Sequence, residues 1–171
     1  TDRLTAADSL AQRTLVDDGG VDTLDASASA VGVAIDLRPG HTSSLGVTGA
    51  GVAAIDNIGI ALGSWIENAV GSDGDDVILG NALGNRLTGL KGNDWIDGAG
   101  GVDSALFSGA RGDYLVSTGF GKVFVAARDG VGGFDTLLNI ERLVFADAEF
   151  ALGAAVLGRD VAISIDEDTV L

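Results

Sequence analysis

The sequence predicts an all-β chain centred on a parallel β-roll, with β-sandwich-like strands flanking it. Three observations carry this. Four consecutive nine-residue units run from Gly71 to Leu106, and each opens on glycine. Within them Asp or Asn recurs at position six (Asp76, Asn85, Asp94, Asp103) and an apolar residue at position eight (Ile78, Leu87, Ile96, Ala105). Glycine is abundant, 27 of 171 residues, while proline occurs once, which suits many short strands closed by tight turns. A fixed nine-residue period in phase with turn and core residues is the mark of a coiled solenoid.

Bulk composition narrows the function classes. Twenty-five acids oppose ten bases, a net charge of −15. Phosphate binding needs a basic surface, so nucleic acid is excluded as a partner. Hydrophobic residues make up 46%, too many for an acidic disordered tail. Cysteine is absent, so disulfides and thiolate metal sites are excluded. No apolar run approaches the roughly 20 residues that span a bilayer. The opening, Thr1-Asp-Arg-Leu4, has no basic segment leading into an apolar one, and reads as the start of an excised piece.

The elements follow in order. Residues 1–13 form a lead-in with a predicted helix over Ala6–Gln12. Residues 14–70 read as strands over Thr14–Asp17, Asp22–Ala26, Val31–Leu37, Ala53–Ala61 and Ser64–Asn68. Asp17-Asp-Gly-Gly20, Pro39-Gly40 and Gly49-Ala-Gly51 supply the turns between them. Residues 71–106 are the repeat roll. Residues 107–152 read as longer strands, Tyr114–Ser117, Lys122–Ala127 and Arg142–Phe145, which cap the roll's open end and cover its strand edges. Residues 153–171 read as a linker toward a following module. Its ending, Ile165-Asp-Glu-Asp-Thr-Val-Leu171, resembles the opening of cadherin-like modules in bacterial surface proteins.

The repeat itself points to a cation. In each unit Gly-x-x-Gly-x-Asp makes a turn and the last three residues a short strand, whose middle residue faces inward. Two units complete one turn of the coil, so units one and three stack on one side, and units two and four on the other. Candidate oxygens come from positions two, four and six: Ser72, Gly74 and Asp76; Asn81, Leu83 and Asn85; Leu90, Gly92 and Asp94; Ala99, Gly101 and Asp103. Carboxylates and backbone carbonyls between stacked turns form the six-to-eight oxygen shell that Ca²⁺ prefers. Asp76 and Asp94 would share one ion, and Asn85 and Asp103 another. Unit two is the weak one, because Asn85 is neutral and Leu83 replaces glycine. Without metal the stacked carboxylates repel: two unit charges about 4 Å apart cost roughly 4 kcal/mol at an effective dielectric of about 20. The thin core cannot offset this, so metal binding becomes folding free energy.

At this point the chain resembles the C-terminal region of serralysin-type secreted proteases, within the RTX (repeats-in-toxin) class. The likeness rests on the repeats and on three upstream segments: Val16–Ser27, with Asp17-Asp-Gly-Gly-Val-Asp-Thr-Leu-Asp25; Ile35–Gly46; and Asn57–Gly71, with Ile66-Glu-Asn-Ala-Val-Gly71. Together these cover residues 14–109. The resemblance implies two further calcium sites. One would use Asp17, the Gly19 carbonyl and Asp22; the other the Gly20 carbonyl, Asp22, the Trp65 carbonyl and Glu67. Nothing before Asp17 matches the family's upstream stretch, which normally completes the first of these. The resemblance also implies an extracellular bacterial protein exported by type I secretion machinery, folding where calcium is plentiful.

Residues 107–152 are similar to another segment of bacterial RTX proteins, with Gly132-Gly-Phe-Asp-Thr136 repeating a Gly-Gly-x-Asp pattern, and Asp135 with Glu141 is a candidate further site. No catalytic motif is present: His41 is the one histidine, and no His-Glu-x-x-His exists. Arg111-Gly-Asp113 matches an adhesion tripeptide, and Trp65 and Trp95 could stack on sugars, although packing explains them more simply. Two other readings stay open: the non-catalytic tail of a secreted metalloprotease or peroxidase, and an adhesion or carbohydrate-binding module with cell-surface or glycan contacts.

Overall fold

A computed structural model describes residues 13–47 and 53–153, and the backbone of residues 3–5. The predicted helix Ala6–Gln12, the turn at residues 49–51 and the linker beyond residue 153 lie outside the described residues.

The nine-residue period becomes a coil of three-residue strands. Units one to four end in β8 (Val77–Leu79), β9 (Arg86–Thr88), β10 (Trp95–Asp97) and β11 (Ser104–Leu106). Successive strands alternate between two sheets, and strands of alternate units pair in parallel. Ile78 lies beside Ile96, and Leu87 beside Ala105. These pairings stack unit one on unit three and unit two on unit four.

The coil extends past the repeats in both directions. Upstream, β3 (Thr23–Asp25) and β7 (Asn68–Val70) lead into β9, while β4 (Ala34–Asp36) pairs with β8. Downstream, β14 (Phe134–Leu138) pairs in parallel with β10, and β15 (Arg142–Val144) with β11. Among the described residues one sheet therefore has seven strands, in the order β1-β3-β7-β9-β11-β15-β16, where β1 is Arg3–Thr5 and β16 is Glu149–Ala151. The other has six, in the order β12-β13-β14-β10-β8-β4, where β12 is Tyr114–Gly119 and β13 is Lys122–Ala127. Residues 70 and 106 thus lie within continuous sheets.

Two excursions interrupt the coil. The first carries β5 (Thr42–Ser43) and β6 (Ile58–Ile60), which join β2 (Arg13–Leu15) in a small three-stranded sheet. The second is an antiparallel hairpin, β12 (Tyr114–Gly119) and β13 (Lys122–Ala127), added to the outer side of β14. Its two loop residues, Phe120 and Gly121, have φ of +54° and +72°, as a two-residue hairpin loop requires.

Each strand of the coil gives the core one inward apolar residue. Leu24, Ala69, Leu87, Ala105 and Leu143 follow one another across the first sheet, and Ile35, Ile78, Ile96 and Leu137 across the second. All are at most 2% exposed. Large and small residues alternate in the first sheet against an unbroken row of large ones in the second. Such alternation lets the side chains of two facing sheets interdigitate.

Several strands are shorter than the sequence predicts, for one reason. The residues ahead of each strand are committed to turn bonds. Val33 N–H donates to Asp76 Oδ1, so the strand predicted over Val31–Leu37 reduces to Ala34–Asp36. The Ser64 hydroxyl accepts from the Asp17 N–H, so Ser64 belongs to a turn and the strand predicted over Ser64–Asn68 begins at Asn68. Likewise the strand predicted over Ala53–Ala61 contracts to Ile58–Ile60. The strand β14 was not expected, because its partner β10 lies 41 residues earlier and its own start is a glycine pair.

Candidate metal centre

The coil stacks the residues just ahead of its parallel pairings into columns. On the side of the six-stranded sheet the column runs Val33, Asp76, Asp94, Asp135; on the other it runs Asp22, Glu67, Asn85, Asp103, Glu141. Except between Glu67 and Asn85, the members are linked vertically: a side-chain oxygen of each accepts from the backbone N–H of the member before it. Asp76 N–H donates to Asp94 Oδ1 at 2.9 Å, and Asp94 N–H to Asp135 Oδ1 at 3.1 Å. In the second column Asp22 N–H donates to Glu67 Oε2 at 2.9 Å, Asn85 N–H to Asp103 Oδ1 at 2.7 Å, and Asp103 N–H to Glu141 Oε2 at 2.7 Å.

The second oxygen of each acid has different fates. Asp76 Oδ2 accepts from Ser72 N–H, while the Ser72 hydroxyl donates to Asp76 Oδ1. Asn85 Oδ1 accepts from Asn81 N–H. Asp94 Oδ2 and Asp103 Oδ2 are buried and have no hydrogen-bond partner. A buried carboxylate oxygen without a donor is costly unless a cation or a proton meets it.

The electrostatics record that cost. Burial pushes the Asp94 carboxyl up to about 8, with Asp135 and Asp76 adding repulsion against the lowering effect of the Asp76 N–H. Burial likewise raises Asp103 and Asp135 to about 7, with Glu141 repelling the first and Asp76 the second. Asp76 is raised by burial, opposed by its bonds from Ser72 and Val33.

Glycine at position one makes room for these carboxylates. A Cβ on Gly89 would overlap Asp94 Oδ2, and one on Gly98 would lie 2.6 Å from Asp103 Oδ2. Glycine at position four lets stacked turns touch: a Cβ on Gly92 would meet the Gly74 carbonyl, and one on Gly101 the Leu83 carbonyl. The columns are therefore lined by backbone carbonyls as well as by acids. Among the described residues no three His, Cys, Asp or Glu side chains converge on one point. A site here draws one or two carboxylates from the column and completes its shell from main-chain oxygens, a donor set that suits Ca²⁺. The two orphan oxygens and the carbonyl lining fit that ion.

The other candidate residues divide. Asp22 and Glu67 are brought together, and the turns holding Gly20 and Trp65 precede them in the same column. Asp17 bonds locally instead, its Oδ1 accepting from Gly19 N–H and its own N–H donating to Ser64. Asp135 and Glu141, taken as a pair in the sequence, are separated, because β14 and β15 lie in different sheets. Each ends its own column, Asp135 against Asp94 and Glu141 against Asp103. The in-phase Gly-Gly-x-Asp at Asp135 was the available signal for the first; no local pattern marks the second.

The Arg111-Gly-Asp113 tripeptide is a single 3₁₀ turn with its ends engaged. The Arg111 guanidinium lies 5.5 Å from the Phe145 ring centre and 5.7 Å from that of Phe150, and it donates to the Tyr114 carbonyl. That arginine ties the start of the hairpin to the Phe145 and Phe150 rings. His41 lies on the surface beside Asp36 and Arg38. Trp95 is half-buried on the outer side of the six-stranded sheet, and Trp65 half-buried in a turn.

Residues 2–148 match the family described as Peptidase M10 serralysin C terminal. Metalloprotease AprA of Pseudomonas entomophila (strain L48) is 41% identical over 71 residues, 42% of this chain and 13% of that protein. Serralysin G of Dickeya chrysanthemi is 42% identical over 71 residues, which are 14% of its length. Serralysin of Proteus mirabilis is 41% identical over 71 residues. The matched stretch is thus a small part of each relative. Among solved structures, the extracellular lipase LipA from Serratia marcescens aligns over 55% of this chain and 18% of its own, at 18% identity and a TM-score of 0.31.

Proposed function

The chain belongs to the peptidase M10 serralysin C-terminal family, an RTX-type group in which calcium binding is inherent, and on that premise we propose a non-catalytic module that binds Ca²⁺ in its turn columns and completes its folding only when that metal is present. The observation that carries this reading is the pair of buried, partnerless oxygens, Asp94 Oδ2 and Asp103 Oδ2.

Calcium would answer the electrostatic problem of the columns. The Asp76–Asp94–Asp135 column holds three acids, and burial already drives them toward the neutral form. A divalent ion supplies the countercharge, and the carbonyls of the glycine turns supply the remaining ligands. The proposed set is Asp76, Asp94 and Asp135 with the Gly74 and Gly92 turns, Asp103 and Glu141 with the Gly101 turn, and Asp22 and Glu67 with the Gly20 and Trp65 carbonyls. Because the ligands meet only in the coiled state, binding free energy is folding free energy.

This suits an exported bacterial protein. Where calcium is scarce the columns would repel and the chain would stay open for passage through type I secretion machinery; outside the cell, calcium would close the coil. The parent is proposed to be a secreted protease of the serralysin kind, whose full gene would carry an upstream His-Glu-x-x-His.

The deciding experiment is circular dichroism with EGTA and with millimolar Ca²⁺. The expected result is a disordered spectrum without metal and a β spectrum with it. Asp94→Ala should raise the calcium concentration needed. A β spectrum of equal amplitude and equal melting temperature in both buffers would remove the proposal.

A further inference from the structure

The four repeat units are not alike in how they satisfy their own position-six side chain, and the difference follows position two. In units three and four position two is apolar, Leu90 and Ala99, with left-handed φ of +85° and +66°. Gly92 and Gly101, two residues on, also have positive φ, +103° and +118°. These are the units with partnerless carboxylate oxygens. In units one and two position two is polar, Ser72 and Asn81, and it bonds the position-six side chain of its own turn.

Unit two goes furthest. Asn81 and Asn85 are each 1% exposed. Asn81 Nδ2 donates to the Ile66 carbonyl at 2.8 Å and to the Leu37 carbonyl at 3.3 Å. Asn85 Nδ2 donates to the Glu67 carbonyl at 3.0 Å and to Asn81 Oδ1 at 3.3 Å. Asn81 Oδ1 also accepts from Leu83 N–H, and Asn85 Oδ1 from Asn81 N–H. Every amide hydrogen and both amide oxygens of the two side chains are used. The Ile66 and Glu67 carbonyls, which a cation in this rung would need, already face N–H groups.

We propose that the rung between Glu67 and Asn85 is closed by these two asparagine amides and holds no calcium. This deepens the calcium reading and rests on it: the ions belong to the acid-bearing rungs, and unit two is a metal-free rung within the same column. The physical reason is sign. Calcium takes only oxygen donors. An amide hydrogen aimed at the same carbonyls puts positive charge where the ion would sit, and displacing it would strand two buried amides. Leu83 is consistent with this, since its side chain disfavours the left-handed turn that Gly92 and Gly101 adopt in units three and four.

Crystals of the whole chain grown in calcium, with an anomalous-difference map, test the inference directly. The expected map has peaks beside Asp94 and Asp103 and none between Glu67 and Asn85. A peak between Glu67 and Asn85 would overturn the inference while leaving the calcium reading intact. A map with no peak at any turn would remove the calcium reading, and the inference with it. Asn85→Asp gives an independent arm. It replaces a donor with an oxygen facing the Glu67 carbonyl and Asn81 Oδ1, so three oxygens then need a cation. Native mass spectrometry should show one more bound calcium than in the unmodified chain. An unchanged count in a folded variant would overturn the inference, and if the variant does not fold, the map of the unmodified chain decides.

Discussion

The Asp76 N–H donates to the carboxylate of Asp94, eighteen residues later, at 2.9 Å. This one contact joins the stacking of unit one on unit three to the charge held between them. The Oδ1 of Asp94 is consumed in holding the coil together, and its Oδ2 is left buried and unpaired. Structure and metal binding therefore draw on the two oxygens of a single side chain.

Asp94→Asn separates those roles. The amide oxygen can still accept from Asp76 N–H, while the charge is gone. In EGTA both chains are expected to give the same disordered spectrum, because other acids of the column still lack a countercharge. With calcium it should lose most of one site's stabilisation, about 2.7 kcal/mol at a hundredfold excess over Kd. Thermal melts of both chains across a calcium series check this; a variant whose melting temperature rises with calcium as the parent's does would contradict it.

The calcium-free chain should be more stable in acid than in base. Asp94 is raised to about 8, and Asp103 and Asp135 to about 7, each chiefly by burial. Unfolded carboxyls titrate near ~3.9. A group that holds its proton more tightly when folded stabilises the fold fully below its unfolded pKa and loses that contribution as pH rises through its folded pKa. In EGTA, the disordered chain should therefore regain β structure toward about pH 4 and lose it again as pH rises to about 8, and saturating calcium should remove that dependence. Circular dichroism in EGTA across that range is the measurement, and a β signal that grows with pH would reverse the assignment.

Gly89→Ala and Gly100→Ala form a matched pair. A Cβ at Gly89 would overlap the Asp94 carboxylate, whereas at Gly100 the nearest atom is Ala82 Cα at 3.8 Å. Overpacking of this kind costs about 1–3 kcal/mol. The first variant should lose that stability and need more calcium to fold. The second should behave as the parent, which calcium titration followed by circular dichroism would reveal.

Leu87 and Ala105 face inward on neighbouring strands and are fully buried. Leu87→Ala should cost about 2–5 kcal/mol through the cavity it leaves. Ala105→Leu should cost about 1–3 kcal/mol through crowding. Together they exchange large for small across one pair, so the double variant should be more stable than the sum of the two losses. Urea denaturation in saturating calcium gives all three values, and strict additivity would show that the two positions do not share space.

How much of this was legible in the chain depends on distance. The turns and short strands of residues 71–106 were readable because each unit carries its own glycine, its own acid and its own inward residue, and neighbours repeat the pattern. Reading Asp76 with Asp94 followed from the period alone. The partner of Asp103 at the capped end, Glu141, was not readable, because 38 residues and a hairpin lie between them. The weakness of unit two was readable, because Asn85 is neutral and Leu83 replaces glycine; that the Asn81 and Asn85 amides turn onto the Leu37, Ile66 and Glu67 carbonyls was not, because those carbonyls lie 15 to 44 residues earlier.

By itself, then, the amino-acid order determined the fold class, the period of the coil and the phase of its acids, since these are local properties repeated every nine residues. The tertiary structure alone decided the length of each column and which of its oxygens remain without a donor. The reason is that a buried oxygen's fate is set by the N–H groups stacked against it. Those groups arrive from turns 18 to 45 residues away along the chain.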